Sequence, residues 1–270
     1  MFTNRLGRAL FVVLVGFAVA GLPTVTLANH SWGGYHWART TNPFTVKLGD
    51  NVSSAWDSYL GTASTDWSQS TVLNTTVVTG QAKPRNCRPT SGRVEVCSAT
   101  YGSNGWLGLA SIWISGSHIT QGAVKLNDSY FNSAAYNTPG WRHLVACQEI
   151  GHTFGLDHQD ENFNNTNLGT CMDYTSNPYG PPSNEHPNKH DYDELVTIYS
   201  HVDDTTTVGQ PVGNSGQIPP AMNDIDLEGP GQWGRLVRQS RDGHTAVYEL
   251  DFGGGNRIHT FVIWADGEER

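Results

Sequence analysis

The sequence predicts an α+β fold, and three observations predict it. Short segments rich in β-branched residues, separated by turn residues, occupy much of positions 43–127. One long helical segment, 141–154, follows them. A second group of strand-like segments closes the chain between 233 and 265. Strands and helices grouped apart in this way give the α+β class.

The elements follow in order. Residues 43–49 alternate well enough for a strand. Within 52–68, Val52, Trp56, Tyr59 and Leu60 recur at helical spacing. Residues 72–79 and 93–100 read as strands, and Cys87 and Cys97 would close the loop between them. Residues 107–115 and 123–127 read as two more strands, split by a Ser/Gly/His/Thr stretch. In the helix at 141–154, Leu144, Val145, Ile150 and Phe154 supply the apolar side. Pro139 and Gly140 stand before it and Gly155 after it. Residues 160–190 are loop by composition, and 191–201 read as a further helix. A polar linker covers 204–228. Residues 229–270 form a three-stranded meander whose turns lie at Arg241-Asp242-Gly243 and at Gly253-Gly254-Gly255-Asn256. The aromatics of that tail (Trp233, Tyr248, Phe252, Trp264) are expected mainly to pack.

Composition removes several function classes. The formal charge is −9 over 270 residues, and the two arginines of the first 28 residues make the remainder more acidic still. A nucleic-acid binder needs a basic face against phosphate, and a protein held on anionic lipid by charge needs the same sign. Neither partner is expected. Aromatics reach 10%, which gives the chain apolar surface to bury.

Residues 1–28 read as an export signal. Arg5 and Arg8 precede an apolar run from Ala9 to Ala20, too short to span a bilayer, and Thr26-Leu27-Ala28 offers a small-residue exit. A secreted, extracellular protein is expected, with no membrane attachment after cleavage. In an oxidising compartment the four cysteines pair. Of three connectivities, Cys87–Cys97 and Cys147–Cys171 are favoured. The second would tie the helix at 141–154 to the loop near Met172.

The chemistry concentrates in residues 147–158, CQEIGHTFGLDH. Gln148 and His152 stand four apart, so on a helix they share one face. Glu149 lies beside Gln148. Gly155 lets the chain turn sharply, and His158 swings back towards the same point. Two imidazoles, a third side chain and an adjacent carboxylate make the layout of a catalytic zinc site with a general base.

This segment resembles the signature of the metzincin metallopeptidases, H-E-x-x-H-x-x-G-x-x-H followed by a Met-turn. Glu149, His152, Gly155 and His158 match it, and Met172, 14 residues after His158, is a candidate for the Met-turn. The likeness covers roughly residues 40–203, and the matrixin-like branch is nearest. It implies a catalytic domain over 29–203: a twisted mixed sheet, an active-site helix, a Met-turn and a C-terminal helix. It also implies a zinc metalloendopeptidase acting as a monomer on protein or peptide substrates. Zn²⁺ would be held by His152, His158 and Gln148. Glu149 would take a proton from the attacking water and pass it to the leaving amine. By resemblance to proteins carrying a Met-x-Tyr turn, Tyr174 would steady the oxyanion.

One position departs from the pattern: the first ligand is Gln148, not His. An amide oxygen suits harder cations better than zinc. Three readings stay open at this point. Gln148 Oε1 is a weak third ligand; or water or another side chain completes the site; or the chain is a catalytically impaired metzincin-like protein that binds partners outside the cell. Other histidines are unassigned. His118 is read as a loop residue, while His143, His186, His190 and His201 are read as surface groups or helix-end partners.

Overall fold

The computed structural model describes residues 30–210, 218–222, 225 and 227–268. The expected signal segment, 1–28, lies outside the described residues, as does part of the linker.

The elements in chain order are β1 (His36–Trp37), β2 (Phe44–Asn51), α1 (Asp57–Trp67), β3 (Leu73–Thr79), β4 (Val94–Ala99), β5 (Trp106–Ser115) and β6 (His118–Asn127). They continue as α2 (Asp128–Phe131), α3 (Pro139–His152), α4 (Lys189–Ile198), β7 (Arg235–Gln239), β8 (Thr245–Gly253) and β9 (Asn256–Trp264). The strands form one mixed sheet in the order β3-β2-β4-β6-β5-β9-β8-β7, with β1 paired alongside β6. Strands β2, β3, β4 and β6 run parallel. From β5 onward every pairing is antiparallel. The α+β class is therefore present, with few helices and a mixed sheet.

Several elements start two to five residues earlier than the sequence reading, each for a local reason. Helix α3 starts at Pro139, not 141. Thr138 caps it by accepting from the Trp141 amide, and Pro is preorganised at the first helical position. Helix α4 starts at Lys189 because Asn188 and Asp191 form a reciprocal capping box. Strand β6 begins at His118, since the expected break before it is only a tight turn through Gly116 (φ +65°). Strand β1 and helix α2 have too few residues to show a period.

Helices α1 and α3 pack together on one face of the sheet. The Trp67 indole N–H donates to the Cys147 carbonyl (3.1 Å), joining the two helices. Trp37, Trp56, Trp67, Phe131 and Phe154 are fully buried in this core. Burying a large apolar side chain contributes roughly 1.5–3 kcal/mol. A second apolar cluster gathers Trp106, Trp113, Trp233 and Trp264 around the Cys87–Cys97 disulfide. Trp233 and Trp264 thus pack inward, while Tyr248 and Phe252 lie partly buried against them. Among the described residues no helix is long and apolar enough to cross a membrane.

Strands β7, β8 and β9 form the expected meander. Strand β9 also pairs along the length of β5, from Trp106↔Trp264 to Ser115↔Asn256. The tail therefore extends the main sheet over the end of α3.

Candidate metal centre

Helix α3 carries Gln148, Glu149 and His152 in its last turns. The helix ends at His152, and the chain reverses at Gly155, whose φ is +96°. A side chain at Gly155 would run into the Tyr35 carbonyl, so this close approach as well as the backbone angle requires glycine. The reversal brings His158 back, as its spacing predicts. His152 Nε2 and His158 Nε2 stand 3.1 Å apart.

The outer nitrogens of the two rings are engaged. His152 Nδ1 lies 2.8 Å from the Leu156 carbonyl oxygen. His158 Nδ1 lies 3.4 Å from Glu161 Oε1. Both neighbours accept only, so each Nδ1 is the protonated nitrogen and each Nε2 presents a lone pair in the neutral ring. Backbone carbonyls and carboxylates at Nδ1 are the outer partners that metal-ligating histidines adopt. Two facing lone pairs repel unless a proton or a cation lies between them. The separation is close to the ~3.3 Å edge of a tetrahedral site with zinc–nitrogen bonds of ~2.0–2.1 Å.

Gln148 is 1% exposed. Its Nε2 donates to the Cys171 carbonyl at 2.7 Å, and its Oε1 has no hydrogen-bond partner among the described residues. The amide is anchored through nitrogen and leaves oxygen available. The anchor point belongs to the Cys147–Cys171 disulfide (Cα–Cα 6.0 Å), so the favoured cysteine pairing is present and fixes this part of the site. Glu149 is fully buried, and neither carboxylate oxygen has a partner among the described residues. Its side chain lies against Gly108 of β5, where a Cβ would crowd it. Burial raises its pKa well above the ordinary carboxyl range. Burial likewise holds His152 well below the ordinary imidazole value, with His158 adding to the effect.

Met172 is buried, and its sulfur packs beneath Gly151 of α3. Tyr174 is 4% exposed, its ring edge-on to His158 at 5.2 Å. The Tyr174 hydroxyl donates to the His244 backbone carbonyl at 2.8 Å. Of the five candidate residues, His152, His158 and Tyr174 are in contact, Gln148 and Tyr174 line one cavity, and Glu149 follows Gln148 on α3. A narrow, mostly apolar cavity opens beside Gln148 and Tyr174, walled by Leu107, Trp141, Leu144 and Trp264.

The tail contributes residues that sequence reasoning missed. Phe261 of β9 stacks flat on the His152 ring, 4.4 Å between centroids. Arg238 of β7 binds Asp157 (2.6 Å) and Glu161 (3.0 Å). Asp157, His158 and Glu161 could by composition hold a cation, but Arg238 already bridges the two carboxylates. A hydrogen bond from His158, together with Arg238, holds the Glu161 carboxyl below its usual value despite partial burial. Nothing in the local sequence links Arg238 or Phe261 to His152; the link is the pairing of β9 with β5.

No protein-family model matches the chain, and no curated protein matches it. Comparison with solved structures finds likeness to high choriolytic enzyme 1, a hatching enzyme zinc-protease from Oryzias latipes (medaka fish). Sequence identity is 12% and the TM-score 0.32, over 61% of this chain and 94% of that one. A likeness this slight carries no chemistry, which rests on the side chains alone.

Proposed function

We propose that the chain is a secreted, zinc-dependent metalloendopeptidase whose catalytic domain spans 29–203. The observation that carries this reading is the facing pair of His152 and His158 Nε2 atoms, 3.1 Å apart, with the unpartnered Glu149 carboxyl on the same helix. His152 and His158 would hold Zn²⁺, with Gln148 Oε1 as a weak third ligand. The orphaned, buried Oε1 fits that role. A bound zinc ion supplies Lewis acidity and lowers the pKa of water at its open position.

The chain's own residues do the rest. Burial raises the pKa of Glu149, so its ionised carboxylate is a strong base; in that form it would accept the proton of the attacking water and return it to the leaving amine. Glu161 and the Leu156 carbonyl keep both imidazoles in the tautomer that presents Nε2. The apolar cavity beside Gln148 suits an apolar substrate side chain. Tyr174 would steady the oxyanion once its hydroxyl leaves the His244 carbonyl. The 204–228 segment links this domain to the meander.

A second reading has its own observation. All five site residues are 8% exposed or less, beneath Phe261 and the β8–β9 region. That closure favours a catalytically impaired extracellular binding protein built on the same frame. The test is zinc content and peptide-library cleavage of the full purified chain, with Glu149→Gln as the control. Cleavage that disappears in the variant supports the peptidase. Zinc retained without any cleavage supports the binding protein.

A further inference from the structure

A second histidine cluster lies on the rim of the sheet, apart from α3. Asp203, which follows α4, turns its two oxygens to different neighbours. Oδ2 receives the Arg39 guanidinium (Nη1, 2.8 Å) and the Arg39 backbone N–H (3.2 Å). Oδ1 faces three imidazoles: His118 Nε2 at 3.2 Å, His36 Nε2 at 3.4 Å and His201 Nε2 at 3.7 Å. His36 Nε2 and His201 Nε2 are themselves 3.2 Å apart.

These separations again match the ~3.3 Å edge of a tetrahedral site with nitrogen and oxygen donors. The tautomer of His36 is fixed as that of His152 is. His36 Nδ1 lies 2.8 Å from the Gly34 carbonyl, so Nδ1 carries the proton and Nε2 is bare in the neutral ring. A bare Nε2 cannot donate to Asp203 Oδ1, although it lies within reach of it. A shared cation accounts for both contacts of this nitrogen. Arg39 engages only Oδ2, which leaves the lone pairs of Oδ1 for the ion.

We propose that His36, His201 and Asp203 form a second divalent-cation site of zinc type, with His118, which reaches Asp203 Oδ1, as an outer partner of that carboxylate. Imidazole-rich donor sets favour Zn²⁺ over Mg²⁺ or Ca²⁺. The ligands come from β1 and from the chain after α4, and the outer partner from the start of β6. An ion there cross-links the first described strand to the end of the catalytic domain. No part of the proposed peptidase chemistry is needed for this site, so the role is structural.

The test is the zinc stoichiometry of the full chain after dialysis against buffered Zn²⁺, compared between wild type and His201→Ala. His201 is exposed, so its removal leaves the core intact. The site predicts one zinc fewer in His201→Ala, and roughly 10–100-fold weaker binding at this site in His118→Ala. Wild type and His201→Ala holding equal zinc overturns it. A His152→Ala/His158→Ala background separates the two centres: one zinc that disappears on adding His201→Ala supports the rim site even if the peptidase reading fails. Should that background not fold, the single His201→Ala comparison still decides.

Discussion

The molecule holds two histidine clusters that use the same local device in different surroundings. At the end of α3, His152 and His158 are almost fully buried, flanked by Phe261 and Tyr174, and the Glu149 carboxyl of the same helix has no partner among the described residues. At the rim, His36, His118 and His201 surround Asp203, which also pairs with Arg39, and His201 is open to water. In both, a carbonyl at Nδ1 aims a bare Nε2 inward. The difference is the carboxylate. Asp203 faces three imidazoles and a guanidinium, whereas neither Glu149 oxygen has a hydrogen-bond partner among the described residues, which suits the proton transfer proposed for it. A dry pocket with an unpaired carboxyl is costly to a fold and useful to a reaction. A wet, paired cluster is neither.

The largest effect expected from this contrast is catalytic. Glu149→Gln should lower peptidase activity roughly 100- to 10,000-fold, with zinc content unchanged, measured by steady-state peptide cleavage. His201→Ala should leave the rate per active centre unchanged. Next is packing. Phe261→Ala should destabilise the protein by about 3–5 kcal/mol in urea unfolding, while metal-free His201→Ala should lie within about 0.5 kcal/mol of wild type.

The third effect is the cost of burying Glu149, and its sign follows from the raised pKa. Its stabilising contribution is fully present below the unfolded value near 4.5 and is lost as pH rises towards the higher folded value. The metal-free protein should therefore gain from Glu149→Gln at pH 8, by about 1–3 kcal/mol, and gain much less at pH 4. Thermal unfolding at the two pH values in chelator reads this directly. The smallest effect concerns the departure from the motif. Gln148→His should tighten zinc binding at the buried centre by about tenfold, near 1.4 kcal/mol, without changing the rim. If affinity there is unchanged or weaker, Gln148 is not at a ligand position.

The two clusters also differ in how far the sequence revealed them. Gln148, Glu149, His152 and His158 sit within eleven positions, so helical spacing and one glycine turn bring them together. Helix α3 and most strands follow from local periodicity. The rim residues are far apart: His36 and His118 meet only because β1 pairs with β6 in register, His36↔His118. His201 and Asp203 arrive from beyond α4. No local pattern encodes that meeting: the sequence reads His118 as a loop residue and His201 as a surface group or helix-end partner, and assigns nothing to His36. The same holds for the tail. Its hairpin turns were legible, but Phe261 reaches His152 through a long-range strand pairing, and Arg238 reaches Asp157 through two more.

The central claim is that zinc lies between His152 Nε2 and His158 Nε2. Anomalous diffraction at the zinc edge from crystals of the full chain tests it most directly. The expected result is a peak bonded to both Nε2 atoms at about 2.0–2.1 Å, with Gln148 Oε1 turned towards it and Glu149 beside it but not bonded to it. Crystals grown with zinc that show no peak between these two nitrogens would contradict the claim.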